Sequence, residues 1–272
     1  MVGSGMSTAI VVALISGAVS LAAATISLLS ARSVARLNSQ LEDQRRARTK
    51  QEQAEELRAR YRDPLLGAVF DLQSRLYNIG GRKFLVRYYA PDDSVMRAYA
   101  LDHTLHVVAE YLGWVEILRR EVQFLDLGEE VADREWVSAL ERVTDGFARD
   151  DIDPVLRLFR GEQRAIGELM AVPMDDPDGP RRHGCIGYAG FTARRQEPEF
   201  SRWFERLSAD IDLMAREPKA HLERPVLLQN ALVDVLDVLD PNSTRFAAQR
   251  RRRLSLPLPD SEDSPVQNRK DP

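Results

Sequence analysis

The stretch TAIVVALISGAVSLAAATISLL, Thr8 to Leu29, contains no charged residue, no proline and a single glycine. As a helix it would rise about 30 Å, the thickness of the hydrocarbon core of a bilayer. Such a run either spans a membrane or is removed as a signal peptide. Ala22 and Ala24 make an A-x-A pattern of the kind found at cleavage sites, but no Lys or Arg precedes the run. The run also exceeds a usual signal core, so the expectation is an uncleaved single transmembrane helix over 8–29. The first charges beyond it are Arg32, Arg36, Arg45, Arg46, Arg48 and Lys50. Positive flanks stay inside, which predicts a single-pass protein of the cell membrane with its amino terminus outside and its remaining chain cytoplasmic. Ala9, Ala13 and Gly17 recur every four residues, as do Ser16, Ser20 and Ala24. Small faces of this kind permit close helix contact and therefore a homodimer.

From 30 to 62 the chain has no glycine or proline and is rich in Ala, Gln, Glu, Arg and Leu, which are good helix formers on a wet surface. A charged helical stalk is expected. Val34, Leu37 and Leu41 begin an apolar heptad, but the positions that would continue it are Gln44, Arg48, Gln51, Glu55 and Arg58. A short start of a coiled coil, giving way to a solvated spacer, fits that pattern better than a sustained zipper.

RDPLL closes the stalk, with Asp63 placed to cap and Pro64 to open a new helix. Leu65, Val69, Leu72, Leu76 and Ile79 then form a helical stripe ended by two glycines. Apolar residues on nearly every side of Val95–Leu127 predict a central helix. Further stripes occur near Val131–Phe147, after Asp153 and Pro154, along EPEFSRWFERLSADIDLM, and at Pro225–Leu239. With no convincing alternating strand, the fold class expected is all-α: an N-terminal transmembrane helix, a helical stalk, and a five- to six-helix bundle over 63–241. The remainder, 242–272, mixes a basic run with an acidic one and is expected to be a disordered tail.

Three stretches, YRDPLLGAVFDLQSRLYNI, LFRGEQRAIGELM and LQNALVDVLDVLD, together resemble a group of uncharacterised bacterial proteins that pair an N-terminal membrane helix with a helical cytoplasmic domain. That resemblance implies a single domain over most of Tyr61 to Asp240 and brings no activity with it.

The residues that could carry chemistry are few. His103, His106 and Glu110 fall within about 60° of arc on one helix, the spacing of a ligand set. The neighbouring pattern lacks His-Glu-x-x-His and any second Glu-x-x-His, so no metal is expected, and no cofactor. Because Leu101, Leu105, Val108 and Leu112 mark the opposite face, these histidines are expected to meet solvent or a second layer of helices. FRGEQRAIGEL offers Arg160, Glu162 and Arg164 as a polar groove, with Gly167 there for close packing. RRHGCIGYAGF reads as a turn-rich connection in which Tyr188 could contact a ligand or partner. Arg250, Arg251, Arg252 and Arg253 form a run that an anionic leaflet would attract. A net charge of −4 gives no general case for nucleic acid, and a single cysteine, Cys185, excludes a disulfide framework within the chain. The reading that results is a membrane-tethered helical interaction or scaffold module with partners in the bilayer and an unidentified protein. The alternative is a membrane-associated enzyme or small-ligand sensor whose pocket gathers the residues at 160–164 with those at 103–110.

Overall fold

The computed structural model describes residues 4–91, 93–122, 131–174 and 182–256, and before residue 60 most side chains fall outside that description. Its contacts divide the chain into Met1–Leu57 and Arg58–Pro272. The backbone is mostly helical, as the apolar stripes require.

Helix α1, Ser4–Arg82, runs through Pro64. The expectation that Pro64 begins a new helix fails: the helix continues through it, although an interior proline removes one helical hydrogen bond. In the first unit Val34, Leu37 and Leu41 are exposed, and Arg46 lies 4.0 Å from Glu42. Among the described residues no helix is long and apolar enough to cross a membrane. The expected span over 8–29 lies, apart from Ser27, outside the residues whose side chains are described.

In the second unit the stripe Leu65, Val69, Leu72, Leu76 and Ile79 is buried, as its period predicts. Lys83, with φ of 55°, adopts the left-handed conformation that separates α1 from α2, Phe84–Tyr88. Helix α3, Ser94–Val122, buries Leu105, Val107, Val108, Leu112, Ile117 and Leu118, so it is central. Helix α4, Val131–Ala148, buries Trp136, Leu140, Val143 and Phe147. The next helix does not start at Asp153 and Pro154. The Asp153 side chain instead accepts the Val155 N–H at 2.8 Å, and Leu156 turns left-handed with φ of 58°. Helix α5, Arg160–Met170, begins only where the Glu162 carboxylate accepts the Phe159 N–H at 2.7 Å.

Helices α3 and α5 pack at glycines. A methyl group added at Gly167 would lie 2.7 Å from the Leu112 carbonyl oxygen, and one at Gly113 would lie 2.8 Å from the Met170 Cβ. Close packing is therefore what Gly167 supplies.

After α5 comes an antiparallel hairpin that periodicity does not reveal: β1, Ala171–Met174, pairs with β2, Arg182–Cys185, with Ala171 opposite Cys185 and Met174 opposite Arg182. The glycine-rich connection thus contains a strand, and it continues into helix α6, Tyr188–Arg194. The segment expected as one helix next is α7, Pro198–Ser201, a 3-10 turn at Arg202–Phe204, and α8, Glu205–Arg216. Phe204 rather than Trp203 enters the core. Helix α9, Glu223–Leu239, packs on α4.

For the chain from 242 to 256 the expectation of disorder fails. Phe246 stacks on Phe70 with ring centroids 3.9 Å apart. Arg251 is buried, with its guanidinium on Asp240 Oδ2 at 2.5 Å and on the carbonyls of Leu236, Asp240 and Phe246. Burial alone would raise the Asp240 carboxyl. Hydrogen bonds from the Thr244 side chain and from the backbone of Phe246, Thr244 and Arg245 outweigh it and hold the group at about 2. Residues 257–272 lie outside the described residues.

Candidate functional site

The sequence candidates separate into three places. The first surrounds the histidines of α3. His106 is buried, so of the two expected surroundings the second layer is the one present. That layer is the end of the hairpin and α6. The His106 ring lies 5.4 Å from the Phe191 ring and 5.5 Å from that of Tyr188, with Nε2 3.4 Å from the Ile186 carbonyl oxygen. His103 sits between the rings of Tyr99 and Tyr188, at 5.3 and 5.4 Å. Tyr188 thus belongs with the histidines and not with the residues at 160–164.

A cation completes this corner. Arg75 of α1 is 7% exposed, its guanidinium lies 4.1 Å from the centroid of the Phe84 ring, and Nη2 donates to His103 Nδ1 at 2.5 Å. Accepting that bond requires His103 to be neutral at Nδ1. Burial, then the Arg75 charge, then His106 hold its pKa down to about 4. Burial also lowers His106. Glu110, with Oε2 3.7 Å from His106 Nδ1, is pushed up to about 6 by burial and by the Asp71 charge. The Cys185 thiol is pushed up to about 12, first by burial and then by Glu110, so it stays protonated and a poor nucleophile. The corner thus gathers two imidazoles held in the neutral form, with ring centroids 6.4 Å apart, beside a carboxyl raised by burial. Among the described residues no three His, Cys, Asp or Glu side chains gather as a metal would need.

The second place is a cleft of about 410 Å³ between α3, α4 and α5. Arg160 and Arg164 line it, but Arg160 is committed to Glu141 at 3.1 Å and Asp145 at 2.6 Å. Glu162 caps its helix and pairs with Arg206 at 2.8 Å. Deeper in the cleft, burial would raise Glu116, but hydrogen bonds from Arg119 and Arg120 hold it down. Of the residues at 160–164 and 103–110, Arg160 and Arg164 line this cleft and His103, His106 and Glu110 do not.

The third place is the basic run. Arg251 is structural, and Arg253 reaches Asp234 at 2.7 Å and Asp237 at 3.3 Å. Arg250 and Arg252 are exposed, so the four do not present one uniform face to a leaflet.

Sequence reasoning misses Arg75 and Arg224. Arg75 stands beside the stripe of Leu72 and Leu76, and Arg224 precedes Pro225 in the first turn of α9. Neither position carries a local signal, because the partners each arginine does have are distant in sequence. No family model matches the chain, and neither does any curated protein or solved structure, so the sequence and the geometry bear the functional argument.

Proposed function

We propose that the chain is a membrane-tethered helical interaction module, anchored once by 8–29 and holding its helical domain on the cytoplasmic side. The anchor and its orientation rest on the charge-free run and on the arginines beyond it. The observation that carries the interaction reading is an apolar corner at the turn from α2 to α3. Val86, Tyr88, Val95, Met96 and Tyr99 are all exposed there, Val95 at 70%. Single exposed apolar residues are ordinary, but several gathered along one turn favour a protein partner. Tyrosine and methionine are among the side chains enriched at such contacts.

A reporter fused after Pro272 tests the anchor. Activity of a cytoplasmic reporter in salt-washed membranes is expected, whereas activity of an export-dependent reporter, or release by salt, overturns it. For the partner, a photo-crosslinking side chain at Val95 in intact cells is expected to give a discrete adduct that the same probe at Glu205 does not. Equal or absent crosslinking at the two positions overturns the interaction reading.

A further inference from the structure

A polar cleft of about 500 Å³ separates the 70–82 stretch of α1 from residues 249–252. Arg82, Arg250 and Arg252 all line it, together with Ser74, Asn78 and Gln249. Among the described residues that line it there is no Asp or Glu. Among the described residues none of these three guanidiniums has an ion pair. Arg82 meets only the face of Tyr77, at 5.9 Å. The contrast with the adjacent arginines is sharp, since Arg251 and Arg253 are both taken by the acids of α9 and its end.

The backbone is fixed so that the run divides in this way. Gln73 Nε2 donates to the Arg250 carbonyl at 3.3 Å, and Gln229 Nε2 donates to the Arg252 carbonyl at 2.8 Å. Gln229 also accepts the Leu254 N–H at 2.9 Å and donates to Gln73 Oε1 at 3.1 Å. Both glutamines are buried, so this part of the cleft is held in place before any ligand arrives. Three like charges that share a cleft with no carboxylate among the described lining residues repel one another, and an anion placed among them relieves that repulsion.

We propose that this cleft binds a phosphate-bearing ligand through Arg82, Arg250 and Arg252. A guanidinium fork matches carboxylate and phosphate alike, but a phosphate offers oxygens enough for several guanidiniums at once, whereas a carboxylate offers two. Asn78 and Gln249 add neutral donors on the same walls. The phosphate can come from a soluble compound or from a lipid head group. The site does not depend on the interaction surface at the α2–α3 turn.

The test is calorimetric titration of inorganic pyrophosphate into the intact chain held in phosphatidylcholine nanodiscs. Saturable binding is expected, and R82Q, R250Q and R252Q should each weaken it about tenfold through loss of a charge-assisted contact. R253Q, which removes a charge of the same run outside the cleft, should leave it unchanged. Absence of saturable heat, or equal binding by the triple variant R82Q/R250Q/R252Q with an unaltered melting curve, overturns the proposal. Repeating the titration in discs that contain phosphatidic acid separates the sources. A lipid ligand would compete and lower pyrophosphate affinity about tenfold or more, whereas a soluble ligand's site would bind as before.

Discussion

Arg224 at the start of α9 and Arg75 on α1 are both withdrawn from water, but the protein satisfies them differently. Arg224 is fully buried and gives its N–H groups to the carbonyls of Gly146, Phe147, Arg149, Asp153 and Val155, at 2.5 to 3.2 Å. Several of these belong to the last turn of α4 and its exit, where carbonyls lack helical partners and the helix dipole favours a cation. Arg75 donates to the His103 imidazole, has a side-chain hydrogen bond with Tyr99, rests on one ring, and leaves Nη1 without a hydrogen-bond partner among the described residues. An arginine matched donor for acceptor holds structure together. One with a spare donor beside two depressed histidines keeps bonding capacity that the fold does not use.

The largest effect is expected at the matched arginine. Arg224→Met removes the guanidinium from five carbonyls, of which only that of Phe147 keeps another donor among the described residues, the Leu158 N–H at 3.0 Å, and chemical denaturation should show a loss of about 4 kcal/mol. A loss below that of an ordinary surface change would break the comparison.

Arg251 sharpens it, because its partner is a carboxylate. Asp240 has a folded pKa of about 2, below its unfolded value, so its contribution is complete above the unfolded pKa and lost as pH falls through the folded one. Acid titration between pH 4 and 2 should therefore remove about 2 kcal/mol of stability, and Asp240→Asn should flatten that slope. The neutral carbonyls around Arg224 contribute no such acid dependence.

The smallest effect on stability belongs to Arg75. Arg75→Met should change stability by about 1 kcal/mol or less, since an incompletely paired buried charge contributes little net. The same variant should raise the His103 pKa from about 4, because the Arg75 charge is the second of its causes after burial, and nuclear magnetic resonance titration of the imidazole would read it. An unmoved His103 together with a large loss of stability would place Arg75 in the same class as Arg224.

The sequence is legible where a helix carries its own apolar stripe, as in α4 and α9, since burial and period there depend on the segment alone. It is not legible where the deciding partner comes from elsewhere. The hairpin has four-residue strands that include Pro173 and Gly184, too short and too poor in strand formers to alternate visibly. Asp153 reads as a cap, but its carboxylate makes a local turn and meets His221 at 2.7 Å, 68 residues further along the chain. The face that His106 takes is set by its own helix, yet its cover, Tyr188 and Phe191, comes some eighty residues later. The basic run reads as solvated because nothing local shows that Asp240, eleven residues upstream, closes on Arg251.

Four identical side chains in a row carry no reading frame of their own. Slipping the run back by one position, so that residues 251–253 take the places of 250–252, would still set an arginine opposite Asp240 and arginines in the cleft. Their alignment must be marked by a residue of another kind, and Leu254 supplies the mark. Its Cδ1 would come within 2.9 Å of a Cβ at Gly80, and its Cδ2 within 3.3 Å of one at Gly81, so it occupies a notch that only this alignment fills. The leucine and two glycines thus mark the frame of the run, together with the Phe246 ring stacked on Phe70 at its other side.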